Sequence, residues 1–271
     1  MQSLAPLLGP QSVITWAGAR TTELQDDGSV RPWRLPHADA PLYTGLHNGA
    51  AGLHNLAGMA AGVRITFMTT ADTVELTVAV QGGGELMFDL CSPGQQIMTK
   101  RVKSDVPAGA STETAWSSYQ TLLFDGVGGA AGAGADKLCE IWMPHIGVAK
   151  VKDVRISDGA QASRYIDRRP RWTTYGSSIS HCGEAFSPAL TWPATCARTA
   201  GLNLYCLGFG GNCNFDLLVA REIRDCPADA ISLKLGINMG MSHNTRAWLR
   251  IPVPCRFPYS GIVGKAGIPR L

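Results

Sequence analysis

Three short polar turns in this chain carry residue types that could do chemistry together. Arg171–Tyr175 reads as a strand and runs into Gly176-Ser177-Ser178. Leu202–Phe209 reads as a second strand and gives way to Gly208-Phe209-Gly210-Gly211-Asn212. Ala230–Leu235 reads as a third and ends in Gly236-Ile237-Asn238. If the three strands lie parallel, all three turns fall on one edge of the sheet, where ligands of open α/β sheets bind. That edge would then gather a hydroxyl, the bare peptide N–H of a glycine and a carboxamide. Acyl transfer needs this set: a nucleophile, and donors already aimed at a developing oxyanion. Each turn alone has a structural reading, since Gly210-Gly211 permits a tight turn and Asn238 can cap a loop. Their recurrence in order at three successive strand ends is what carries the chemistry.

The elements between the turns fit that arrangement. Trp192–Ala200 is a predicted helix, with Thr191 as its cap, Pro193 in its first turn and Gly201 past its end. Phe215–Arg224 is a second, with Phe215, Leu218, Val219 and Ile223 on one apolar face. Strands alternating with helices predict a parallel sheet with right-handed crossovers. The chain before this region reads differently. Val63, Ile65 and Phe67 alternate with Arg64 and Thr66, and Val74, Leu76, Val78 and Val80 alternate with Glu75, Thr77 and Ala79. This is the period-2 pattern of half-buried antiparallel strands. Gly82-Gly83-Gly84 breaks the run and Glu85–Leu90 resumes it. Further strands are expected at Gln96–Val102, Tyr119–Phe124, Lys137–Met143 and Val151–Ile156. Several short strands with Gly/Pro turns predict a β-sandwich or jelly roll. Residues 1–40 read as an extended lead-in whose Trp33 and Leu35 pack on the next domain. The division is therefore 1–158 for the β-sandwich with its lead-in, 159–170 for a polar linker, and 171–271 for the α/β part.

Composition narrows the class. The 271 residues are 45% hydrophobic and 17% charged, which describes a globular chain. The net charge of +3 comes without a dense Lys/Arg run, so nucleic acid is not an expected partner. No apolar stretch reaches about 18 residues, so no membrane span is expected. Met1-Gln2-Ser3-Leu4-Ala5-Pro6 lacks the basic start of a secretory signal, and a cytoplasmic location is expected. The eight cysteines contain no Cys-x-x-Cys pair and read as buried free thiols. Gly126–Ala135 reads as a flexible hairpin loop, because no Lys-Ser/Thr follows to make a phosphate cradle. His145, His37, His47 and His54 read as loop histidines with structural hydrogen bonds.

With these blocks in order, the segment from about 170 to 240 resembles the SGNH hydrolases, the GDSL-type esterase, lipase/acylhydrolase and acyltransferase superfamily. Tyr175-Gly176-Ser177-Ser178-Ile179 matches the first block, with Ser178 at the nucleophile and Ser177 where many members have Asp. Gly211 matches the glycine of the second, and Gly236-Ile237-Asn238 the Gly-x-Asn of the third. The preceding region, with Glu140-Ile141-Trp142-Met143-Pro144-His145, is similar to the jelly-roll domain of some members, including acyltransferases of polyketide pathways. The resemblance covers roughly residues 15–240. It implies an antiparallel β-sandwich followed by a flavodoxin-like three-layer α/β domain. It implies a ping-pong reaction on an ester of a small molecule or carbohydrate. Ser178 would be the nucleophile, and the oxyanion hole would be the N–H groups of Ser178 and Gly211 with the Asn238 amide. No metal or organic cofactor is implied.

The family's last block, Asp-x-x-His, has no match here. No acidic residue follows Asp229, while Lys234, Arg246, Arg250, Arg256, Lys265 and Arg270 accumulate. His243 lies too soon after Asn238, and His181 falls on the far side of the nucleophile turn, so no general base is identified. The expectation is that the chain leaves the family pattern near Met239–Ser242, by truncation or a change of reading frame. A truncated sheet would keep an uncovered edge, which makes the α/β part marginal. The alternative is a non-catalytic, carbohydrate- or ligand-binding β-sandwich carrying a degenerate hydrolase domain, with Trp33, Trp116 and Trp142 as platform residues.

Overall fold

A computed structural model describes residues 1–43, 52–82, 84–92, 97–106, 115–127 and 134–238. His47, His243, Cys255, the stretch 128–133 of the Gly/Ala loop and the whole of 239–271 lie outside the described residues.

The lead-in supplies four strands: β1 (Gln2–Ser3), β2 (Thr15–Ala17), β3 (Thr21–Leu24) and β4 (Val30–Trp33). Helices α1 (Ala40–Tyr43) and α2 (Gly52–Gly58) come next. Then come β5 (Arg64–Thr69), β6 (Thr73–Gln81), β7 (Glu85–Cys91), β8 (Met98–Lys103), β9 (Gln120–Asp125), β10 (Lys137–Trp142), β11 (Val148–Ile156) and β12 (Ala162–Ser163). The α/β portion is β13 (Arg171–Gly176), α3 (Ser178–His181), α4 (Trp192–Ala200), β14 (Asn203–Gly208), α5 (Leu217–Asp225) and β15 (Ala230–Lys234).

Two six-stranded antiparallel sheets stack on one core. The first runs β3-β4-β11-β6-β9 with β1 on β11, and the second β12-β5-β10-β7-β8 with β2 on β5. Val74, Leu76, Val78 and Val80 from the first meet Ile65, Phe67, Phe88, Leu90 and Ile141 from the second, all buried as the alternation requires. The lead-in is thus part of both sheets rather than a separate arm, a correction to the sequence reading. Its strands are two to four residues long, too short for alternation to register. The linker region also holds β12, paired with β5.

The outer face of the second sheet departs from the half-buried expectation. Arg64 and Thr66 of β5 are as buried as Ile65 and Phe67. The α/β portion meets Arg64 at Asn203 and Leu204, and Thr66 Oγ1 donates to Thr15 O of β2. Cys91 and Trp142 pack with Trp172, Ala189, Ala194, Ala197, Leu204 and Cys206. Trp33, Leu35 and Tyr43 pack with Tyr175, Leu207, Phe209, Val219 and Ile223. Trp33 and Trp142 are therefore core residues, not ligand platforms. Trp116 is half-buried with the Lys150 ammonium 4.8 Å from its ring.

The third sheet is parallel, in the order β14-β13-β15. Helix α4 has the predicted bounds. Thr191 accepts the Ala194 N–H at 3.4 Å, and Gly201 closes the helix at φ +64°. Helix α5 starts later than predicted, because Phe215 has φ +58° and stands outside it. Strand β15 flanks the central β13 on the side opposite β14, with Ile231 and Leu233 exposed on it and Leu235 and Ile237 exposed just beyond its end. Four cysteines among the described residues are buried, but Cys196 is exposed and Cys182 and Cys226 are half-buried.

Candidate active site

The parallel register sets the three turns level. Gly176 at the end of β13 pairs with Gly208 of β14 on one side and Lys234 of β15 on the other. The chain then turns at Ser177, which is fully buried, and α3 begins with Ser178, which is exposed. This single turn is fixed by Ser177 O, which accepts the N–H groups of Ser180 and His181 at 3.0 and 2.9 Å. Its compactness depends on the strand-end glycines. A Cβ on Gly208 would lie 2.4 Å from the His181 nitrogen and 2.4 Å from the Ser180 carbonyl carbon.

The turn after β14 lies against Ser178. A Cβ on Gly210 would stand 3.6 Å from Ser178 Cα and 3.7 Å from its Cβ. Gly211 is exposed and has φ +72°, with nothing within 4 Å of where a Cβ would stand, a backbone conformation that favours glycine. The turn after β15 is tied to the same loop, since the Cys213 N–H donates to Asn238 Oδ1 at 3.1 Å. A backbone donor fixes which end of the carboxamide is oxygen, so the NH₂ is the end that can donate to a ligand. Ser178, the Gly210-Gly211 turn and Asn238 are thus on one edge, in contiguous loops.

The histidines are placed otherwise. His181 is buried, with Nε2 donating to the His145 carbonyl at 2.6 Å and Nδ1 accepting the Gly210 N–H at 3.4 Å. Both nitrogens are engaged by the main chain, which fixes the neutral tautomer. Burial, helped by the nearby Arg34 charge, pushes its pKa down to about 3. His181 therefore holds the Gly210 turn and takes no proton from Ser178. His145 is a correction: its ring is buried and neither nitrogen makes a hydrogen bond of good geometry. Burial lowers its pKa, partly offset by the main chain at Ala185 and Gly183 and by the Asp89 charge. His37 shares a hydrogen bond with Thr21 Oγ1 at 3.0 Å, and His54 lies edge-on to Trp33. Among the described residues no imidazole is hydrogen-bonded to Ser178, and no group of three His, Cys, Asp or Glu is gathered for a metal.

A pKa below its unfolded value gives a histidine a stability contribution that is complete above about 6.5 and is lost as the pH falls toward 3. Between about pH 6 and 5, wild type is expected to lose about 1 kcal/mol per pH unit more than His181→Gln, read by urea unfolding at each pH. Parallel slopes would mean that His181 is not held neutral.

Two buried cations escaped the sequence reading. Arg34 comes directly after β4, and Arg64 opens β5; both guanidiniums are fully buried. Arg34 in Trp33-Arg34-Leu35 carried one usable signal, a lone cation between two apolar residues that both pack inward.

Paired antiparallel sheets with a parallel sheet that presents serine, glycine and asparagine turns on one edge give a fold similar to that of SGNH-type enzymes. Residues 14–151 match the family described as SsfX3, N-terminal domain, and the chain belongs to that family. Among solved structures it is similar to the salicylyl-acyltransferase SsfX3 from a tetracycline biosynthetic pathway. The identity there is 30% and the TM-score 0.74, over 89% of this chain and 65% of that one. A GDSL-like lipase from Bacteroides ovatus shares the fold at 21% identity and TM-score 0.55, over 82% of this chain and 64% of that one. The chain thus spans somewhat under two thirds of the length of either. No curated protein matches it.

Proposed function

We propose that this chain carries the nucleophile and oxyanion side of an SGNH-type serine acyl-transfer site, acting on an ester of a small molecule or carbohydrate. In this reading, residues 1–158 form a jelly-roll domain, 159–170 a linker, and 171–271 the flavodoxin-like catalytic portion. Ser178 Oγ attacks the ester carbonyl and gives up its proton to a base. The tetrahedral oxyanion accepts from the Ser178 and Gly211 N–H groups and the Asn238 NH₂. The Ser178 N–H suits this role because the first residue of a helical turn has no intrahelical acceptor. The alkoxide then leaves with a proton, and water or a second alcohol takes the acyl group from Ser178. Each donor of this kind is worth about 3 kcal/mol of transition-state stabilisation.

The observation that supports the reading best is the exposed Ser178 seated against Gly210, at the ends of strands held level by register. The Asp-x-x-His block does not occur in these 271 residues, so the test supplies the proton acceptor. Hydrolysis of a chromogenic acetyl ester is followed with increasing imidazole, for wild type and Ser178→Ala. A positioned base contributes about 10²–10⁴-fold, so a free one is expected to give about tenfold over Ser178→Ala. Equal rates at every imidazole concentration would remove the reading.

A further inference from the structure

We infer that Arg34 is a positioning residue of this site: a buried cation with no carboxylate partner among the described residues, set behind the Gly208–Gly211 turn to hold that turn and bias it toward negative charge. The inference rests on the proposed acyl-transfer function.

The guanidinium is fully buried, and among the described residues its hydrogen bonds go to backbone carbonyls. Nε donates to Met59 O at 2.7 Å and a terminal nitrogen to Leu56 O, both at the end of α2. The other terminal nitrogen donates to Cys206 O at 3.2 Å and Gly208 O at 2.7 Å, at the end of β14. Its carbon lies 4.7 Å from the centre of the Phe209 ring. Among the described residues no carboxylate forms an ion pair with it. Arg64, equally buried, has two such partners, Glu140 and Asp167.

That contrast is informative. A buried charge is ordinarily neutralised by an opposite one, because dipoles alone offset its desolvation poorly. Arg34 keeps its full charge in a low-dielectric interior, and the Gly208 carbonyl it holds lies two residues before Gly210 and three before Gly211. In such a medium a fixed cation acts strongly on charge that develops nearby. It therefore favours an oxyanion at Gly211 over a neutral ester carbonyl at the same place. Its reach is evident at His181, where it adds to burial in keeping the imidazole neutral. A purely structural tie would need only the hydrogen bonds, since the carbonyls of α2 and β14 are indifferent to which donor holds them.

Three variants separate charge from hydrogen bonding: Arg34→Lys keeps the charge, Arg34→Gln keeps donors alone, and Arg34→Met keeps neither. Each is assayed in the imidazole-supplemented ester hydrolysis alongside a urea melt. Arg34→Gln and Arg34→Met are expected to lose about tenfold in kcat with KM within about twofold, and Arg34→Lys to recover most of that loss. If Arg34→Met does not fold, the Lys-against-Gln comparison decides. If Lys and Gln have the same kcat while the rate still depends on Ser178, this inference alone falls. If wild type has no Ser178-dependent rate, the acyl-transfer reading falls first and takes this one with it. If none of the three variants folds, Arg34 is a structural tie and the inference is overturned.

Discussion

Arg64→Met is expected to destabilise the protein by about 3–5 kcal/mol, the cost of removing one partner from a buried ionic network. Arg64 stands where the second antiparallel sheet meets the parallel one. Its Nε reaches Glu140 at 3.3 Å, one terminal nitrogen donates to Leu204 O at 3.2 Å, and the other to Asn203 Oδ1 at 2.7 Å. Asp167 lies 3.7 Å away. Arg169 completes the cluster at 2.7 Å from both Glu140 and Asp167. Two cations and two carboxylates balance. Without Arg64, one buried negative charge is uncompensated, and the start of β14 loses two donors. Burial alone would raise the Asp167 pKa, and the hydrogen bonds from Arg169 override it and hold the carboxyl below its usual range. The variant is measured by urea unfolding with tryptophan fluorescence and far-UV circular dichroism. Arg64→Met combined with Glu140→Gln restores charge balance and is expected to lose less than the sum of the two single changes. A single-variant loss under about 1 kcal/mol would mean that the network does not join the two portions.

That network also explains what the sequence could and could not disclose. Val74, Leu76, Val78 and Val80 announced β6 and its buried face, because strict alternation has one structural cause. Trp192–Ala200 was legible to the residue, since Thr191, Pro193 and Gly201 each act locally. The edge that gathers Ser178, the Gly210-Gly211 turn and Asn238 was legible too, because parallel strands joined by helices leave little choice of side. The buried side of β5 was not. Alternation assigns Arg64 and Thr66 to the outside of a sandwich, and nothing within five residues of Arg64 reveals that Asn203 and Leu204 will cover it. Arg34 escaped for the same reason, since its four carbonyl partners come from two distant segments. The late start of α5 depends on the left-handed Phe215, for which no sequence rule was available. For Arg64 and Arg34, tertiary contacts rather than local preference decided the outcome.

Gly208→Ala is expected to cost about 3 kcal/mol, the upper end of what an added methyl costs in a packed interior, and to lower Ser178-dependent ester hydrolysis with it. The new Cβ would fall 2.4 Å from the His181 nitrogen and 2.6 Å from the Ser180 oxygen, which are backbone atoms of α3. Flexible side chains can step aside, but here the turn itself must move, and it carries Ser178 at its first position. Gly211→Ala provides the contrast. Nothing lies within 4 Å of its Cβ position, and only its φ of +72° resists the change. Left-handed backbone in a non-glycine residue costs about 1–2 kcal/mol, so Gly211→Ala should melt between wild type and Gly208→Ala. The order of the two in urea separates close approach from backbone conformation as the reason each glycine is there. If Gly208→Ala is no less stable than Gly211→Ala, α3 is not clamped on the end of β14. In that case the placement of Ser178 beside Gly210 loses its support.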